Sequence, residues 1–172
     1  SALEHNLSVV RRHVSRSRVM AVIKADAYGH GLLRAAEAFK SADGFAILEL
    51  DAAIRLREAG YEHTILLIEG FLSRSELELF ERHHLSTVIH NSEQLEMLSA
   101  YKQPRGLDVF LKLNTGMNRL GFTPEQFPKA LEILKRNPVV GQITLMTHFA
   151  CADAHKDRSG IAAVSYTHLT LP

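Results

Sequence analysis

Ala21-Val22-Ile23-Lys24-Ala25-Asp26-Ala27-Tyr28-Gly29-His30-Gly31 is the stretch on which the fold turns. The apolar run that begins at Arg18 reads as a strand that delivers Lys24 to its C-terminal end. Gly29 and Gly31 allow a tight turn from there into a helix, whose first amides favour an anion. A lysine in an apolar strand mouth pays desolvation, which favours the neutral, nucleophilic amine. The competing reading of the residues is a lysine that snorkels at a strand end.

The same strand-then-helix unit recurs outward from this stretch. Further strand-like runs are 44–48, 64–68, 86–89, 107–113 and 142–147. Between them lie segments of helical period. Ala52, Leu56 and Ala59 are spaced for a buried face within 51–59. Ser73-Arg74-Ser75-Glu76 matches a capping box ahead of Leu77 and Phe80. Ser92 is placed to cap the helix carrying Leu95 and Leu98. Pro124 suits the first turn of a helix through Leu134, which Asn137-Pro138 ends. Leu3, Leu7 and Val10 share a face of an N-terminal helix.

The strands are near-continuous apolar runs, as in parallel sheets covered on both faces. Repeated βα units of about 20 residues predict an α/β fold, an incomplete (β/α)8 TIM-type barrel with about six of its units. An open doubly wound sheet is the alternative, without the glycine-rich fingerprint that would support it.

Composition narrows the function. The chain has 172 residues, 46% of them hydrophobic, with a formal net charge of +1. That balance gives no bulk electrostatic signature for nucleic acid. No apolar run is long enough for a membrane span. Cys151 is the only cysteine, so neither an intrachain disulfide nor a multi-cysteine metal site exists. Cys151 reads as a small strand-end filler. His63, His90 and His155 lack a ligand-spaced partner, and His83-His84 suits a helix C-terminus. Asp51, Arg55, Arg57 and Glu58 read as a solvated helix face. No metal site is expected.

Two further runs carry unusual polar residues near strand ends: 111–122, Leu-Lys-Leu-Asn-Thr-Gly-Met-Asn-Arg-Leu-Gly-Phe, and 146–150, Met-Thr-His-Phe-Ala. With the Lys24 run, they closely resemble the signature segments of the alanine racemases, pyridoxal-phosphate enzymes on a barrel fold. The resemblance covers essentially residues 1–163. Asn114 stands where many members carry Asp, which is similar to the catabolic subtype.

The resemblance implies pyridoxal 5'-phosphate as cofactor and interconversion of L-alanine and D-alanine. Lys24 matches the lysine that holds the cofactor as an aldimine and serves as acid and base on one substrate face. Tyr28 matches the tyrosine that bonds the cofactor phosphate. Arg119 matches the arginine near the cofactor's phenolic oxygen and the substrate carboxylate. Lys112 matches a lysine often carbamylated in this family. His148 matches a histidine beneath the cofactor ring.

The family's second base is a tyrosine from the partner's C-terminal domain, in a region this chain lacks. A homodimer is implied for the full-length protein, with an isolated 1–163 barrel domain inactive. A cytoplasmic role in D-alanine supply for peptidoglycan, or in its breakdown, is implied too. The rival readings are a broad-specificity amino-acid racemase of the same family and a non-catalytic pyridoxal-phosphate-binding barrel. The last nine residues, 164–172, read as a tail derived from a sequencing adapter, and both ends of the barrel domain are expected to be truncated.

Overall fold

The computed structural model describes residues 1–102 and 106–150. Six strands alternate with helices, and the strand pairs described below are parallel, as in part of a (β/α) barrel. The chain divides into two compact units. One is Ser1–Gly70 with Glu78–Thr87, and the other is Phe71–Leu77 with the described residues from Val88 onward.

In the first unit, α1 (Ala2–His13) precedes β1 (Met20–Val22), α2 (Lys24–Tyr28) and α3 (Leu32–Ala38). Then come β2 (Gly44–Ile47), α4 (Leu50–Glu58), β3 (Thr64–Leu67) and the start of β4 (Ser86–Ile89). β2 lies between β1 and β3, with Met20 opposite Gly44 and Gly44 opposite Thr64. All four β2 residues are buried, as expected of a strand covered on both faces. Phe45, Ile47, Leu56, Ile65 and Leu67 are the large side chains at the centre of this core.

α1 starts with a full capping box, in which the Ser1 hydroxyl accepts from the Glu4 amide and Glu4 reaches back to the Ser1 amine. Of its expected face, Leu7 is buried, Leu3 half-buried and Val10 exposed. Arg11 ties the helix down by pairing with Asp43 at 2.7 Å and donating to the Ser41 carbonyl. Asp43 also accepts from the Val19 amide at 2.6 Å, and that bond holds its carboxyl below the ordinary range.

Arg57 departs from the solvated face expected of it. It is half-buried, and its guanidinium donates to four backbone carbonyls: Tyr61, His63, His83 and His84, at 2.6–2.8 Å. The αβ loops before β3 and β4 are thereby stapled together. His83 and His84 follow α5 (Leu77–Arg82), so the carbonyls at that helix end are met by Arg57 rather than by the histidine side chains. Burial pushes the Arg57 pKa down, yet a guanidinium stays charged and keeps its fork of donors. Arg57→Ala leaves these carbonyls without their donor and is expected to cost about 3 kcal/mol. Arg57→Lys should recover little of it, since an ammonium cannot span the four acceptors. Chemical denaturation of both variants checks this, and a wild-type midpoint for Arg57→Ala would refute it.

In the second unit, α6 (Ser92–Ala100), β5 (Leu107–Lys112), α7 (Phe127–Arg136) and β6 (Val140–Met146) follow in turn. β5 pairs with β6 from Leu107–Val140 to Lys112–Met146, with a register shift between Leu107 and Val109. Leu95, Leu98, Val109, Leu111, Phe127 and Leu134 are buried. Asn137 bonds the Leu98 carbonyl at 3.3 Å and joins the ends of α6 and α7.

Several helix starts differ from their expected places. Asn91, not Ser92, caps α6, its side chain accepting from the Gln94 amide at 2.8 Å. The Ser73 box does not form. A 3-10 turn (Arg74–Glu76) precedes α5, the Ser73 hydroxyl meets that of Ser75, and the Glu76 carboxylate takes the Leu72 amide instead. α7 begins at Phe127 with Pro128 in its first turn, so Pro124 lies ahead of the helix. In α4 the fully buried residues are Ala53 and Leu56, while Ala52 is half-buried and Ala59 exposed. The expectations for Cys151, His155 and residues 164–172 lie outside the described residues.

Candidate active site

β1 stops two residues short of Lys24. Ile23 still bonds the Ala46 carbonyl at 2.9 Å, and the backbone then turns left-handed. Ala25, Asp26, Ala27 and Tyr28 have φ of 52°, 50°, 54° and 55°. Four consecutive non-glycine residues in this region cost roughly 1–2 kcal/mol each. Compensation is local. Ile23 and Ala27 are buried, and Asp26 accepts at both its carbonyl and its carboxylate. The carbonyl takes the amides of Gly29 and Gly31 at 3.1 and 3.0 Å. The carboxylate takes the Leu32 amide at 2.8 Å. The α3 N-terminus, expected to attract an external anion, thus has one of its donors filled by the chain's own carboxylate.

The turn leaves the two reactive side chains available. Lys24 is half-buried rather than sealed in an apolar mouth, and Tyr28 is 66% exposed. Among the described residues neither side chain has a hydrogen bond or ion pair. An amine can condense with a carbonyl and a phenol can donate to a phosphate oxygen, so Lys24 and Tyr28 have the donor chemistry that an aldehyde-bearing, phosphorylated cofactor would need.

The second unit carries the other polar group. Between β5 and α7 the chain makes a loop whose neck is closed by backbone bonds. Phe122 donates to the Lys112 carbonyl at 2.9 Å, and Asn114 donates to the Phe122 carbonyl at 2.8 Å. Inside the loop, the Asn114 Oδ1 accepts from the amides of Gly116 and Asn118, both at 3.1 Å. The Thr115 hydroxyl meets that of Thr147 at 2.5 Å and donates to the His148 carbonyl at 3.2 Å, which fastens the loop to the end of β6. Arg119 rides on this loop and is exposed.

A small cleft here is lined by Lys112, Asn114, Thr115, Met117, Arg119 and His148 together with Leu113 and Leu120. Lys112 is buried, 8% exposed, and has no acidic partner among the described residues. Burial first, and the Arg119 charge second, push its ammonium pKa down. Lys112 is therefore not a surface lysine. His148 is exposed. The structure thus brings Lys112, Arg119 and His148 to one cleft, with Lys24 and Tyr28 on the turn of the other unit.

Residues 1–167 match the alanine racemase N-terminal domain family. The chain belongs to the alanine racemase N-terminal domain family. It is 68% identical over 163 residues to an alanine racemase of Nitrosospira multiformis, covering 95% of this chain and 46% of that protein. A Nitrosomonas europaea alanine racemase is 61% identical over 153 residues. The biosynthetic alanine racemase of Pseudomonas aeruginosa superposes with a TM-score of 0.90 at 36% identity, over 95% of this chain and 46% of that one. The chain thus spans less than half the length of these relatives. Its fold is part of the family's (β/α) barrel.

Sequence reasoning missed three residues of this alanine racemase domain's polar sites: Asp26, Asn118 and Thr147. Asn118 stands at φ 55° directly before Arg119. An Asn two residues after Gly116 is a recognisable left-handed position. The Thr115–Thr147 contact has no signal in either segment alone. Among the described residues no group of three or more His, Cys, Asp or Glu side chains could hold a metal ion. No described helix is long and apolar enough to cross a membrane.

Proposed function

We propose that this domain belongs to an enzyme that interconverts L-alanine and D-alanine with pyridoxal 5'-phosphate as cofactor. The observation that carries the proposal is the loop from Lys112 to Phe122. It presents Arg119 beside a buried lysine in a cleft whose lining contains no carboxylate among the described residues, an arrangement suited to an anionic group of a small substrate. Family membership supplies the rest of the reading.

Lys24 would hold the cofactor through its amine, and Tyr28 would hold it by donating a hydrogen bond to its phosphate. When bound, the cofactor's conjugated ring delocalises the charge left when the α-proton departs. The same Lys24 amine would also serve as acid and base on one face of the substrate. It removes the proton from one face of the alanine Cα, or returns one to that face in the reverse direction. Arg119 grips the substrate carboxylate. A second acid/base group is required on the opposite face, supplied by the remainder of the full-length protein as a homodimer. His148 would help to hold the cofactor.

Lys112 is read as carbamylated. Its depressed pKa favours the free amine, which adds to carbon dioxide to give a carbamate and release a proton. The product carries a negative charge in place of a positive one beside Arg119 and converts a repulsion into a pairing. Carbon-13 NMR of the full-length protein under labelled carbon dioxide should show a carbamate signal that Lys112→Ala lacks. An identical spectrum in the variant would count against it. The protein is read as cytoplasmic.

The test of the whole reading uses the full-length protein. Purified with pyridoxal 5'-phosphate, it should convert L-alanine to D-alanine and show the visible absorbance of a lysine-bound cofactor. Absorbance without turnover on any amino acid would make it a cofactor-binding protein, and the absence of both would refute the proposal.

A further inference from the structure

Residue 114 is an amide in a cleft that also carries basic side chains. Asn114 lines it with Lys112, Arg119 and His148. Its Oδ1 accepts from the Gly116 and Asn118 amides, and its Nδ2 donates to the Asn118 Oδ1 at 3.0 Å. Asn118 is therefore gripped at two points while held at φ 55°, immediately before Arg119. A residue in that region relaxes to ordinary backbone unless its surroundings fix it. Relaxation at 118 would swing the next side chain, so Asn114 decides where Arg119 points.

The hydrogen bonds alone do not require an amide. A carboxylate could accept from the same two backbone N–H groups, and Asn118 could turn its own amide to donate to the remaining oxygen. What separates the two side chains is charge. With Asn, the loop is held without adding an anion, and the positive charge of Arg119 stays available to a ligand. A carboxylate at 114 would be an internal anion competing with any external one. With a carbamate on Lys112, a carboxylate at 114 would place a second anion against the single Arg119 charge.

We propose that Asn114 is a positioning residue for Arg119, and that its neutral amide strengthens the cleft's hold on the substrate carboxylate. The proposal rests on the racemase reading, which supplies that carboxylate.

The test measures binding of propionate, alanine without its amine, to the full-length protein by calorimetry at low and high salt. Asn114→Asp should bind propionate about fivefold more weakly at low ionic strength. The gap should narrow at high salt, because a partly exposed charge is screened. Its melting temperature should stay near that of the wild type. Asn114→Ala should also bind weakly, but with a lower melting temperature and a deficit that salt does not close, because it loses the loop bonds. Should Asn114→Asp fail to fold, Asn118→Asp keeps an acceptor for the Asn114 Nδ2, places a carboxylate in the same loop, and should show the same salt-sensitive loss. Wild-type affinity in a folded Asp variant would overturn the proposal while leaving the racemase reading intact. A wild-type protein that neither binds propionate nor racemises alanine would overturn both.

Discussion

Lys24→Ala in the full-length protein should abolish the visible absorbance of the bound cofactor and lower alanine racemisation by at least about a thousand-fold. The loss is that large because one amine has two tasks, holding the cofactor and moving the α-proton. The fold should not notice. Lys24 is half-buried and has no partner among the described residues, so the denaturation midpoint should stay within about 0.5 kcal/mol of the wild type. Tyr28→Phe separates the two tasks. It keeps the amine and removes one hydrogen bond to a charged group, so cofactor affinity should drop by roughly ten- to a hundred-fold. A Lys24→Ala protein that kept its turnover would place the base elsewhere.

The βα alternation was legible because it is written in local composition. Runs such as Thr64–Leu67 and Ser86–Ile89 are rich in apolar and β-branched residues and flanked by helical segments, so their positions and parallel pairing follow from period and length. Caps were less legible, since neighbouring residues compete for them. Asn91 and Ser92 are both good cap formers, and the backbone geometry at 91 decided between them. Arg57 shows the limit most clearly. Arg55 and Glu58 near it are charged, but its acceptors are carbonyls as far away as His83 and His84, and carbonyls have no sequence signature.

At the site, the residue types were readable and their settings were not. A strand ending in Lys24 was the natural reading of an apolar run. Yet the chain reverses hand at Ala25, and nothing in Ala-Asp-Ala-Tyr favours that except Asp26, which tolerates the left-handed region and then caps α3. Lys112 was singled out only by its place in the segment that carries the resemblance. Its depth is a property of the packed strand end.

Gly121→Ala should be the most disruptive single-methyl change in the Arg119 loop. Gly121 sits at φ +116°, and an added Cβ would come within 2.8 Å of the Asn114 nitrogen, 3.0 Å of the Leu113 carbonyl carbon and 3.1 Å of the Lys112 oxygen. All three are backbone atoms, so no side chain can rotate away. The same short approach lets Phe122 donate to the Lys112 carbonyl and accept from the Asn114 amide, and it is these bonds that close the neck. The methyl group must therefore open the neck or move the end of β5. Together with the unfavourable φ, that should cost about 3–4 kcal/mol in denaturation of the full-length protein. The chemical effect should follow the structural one. With the neck open, Asn114 loses its register with Asn118, Arg119 loses its aim, and kcat/KM for alanine should fall by about a hundred-fold. Cofactor absorbance should survive, because Lys24 and Tyr28 belong to the other unit. If absorbance were lost along with turnover, the loop would be supporting cofactor binding as well as substrate binding. A variant as stable and active as the wild type would mean that the neck tolerates a side chain at 121 and does not set the position of Arg119.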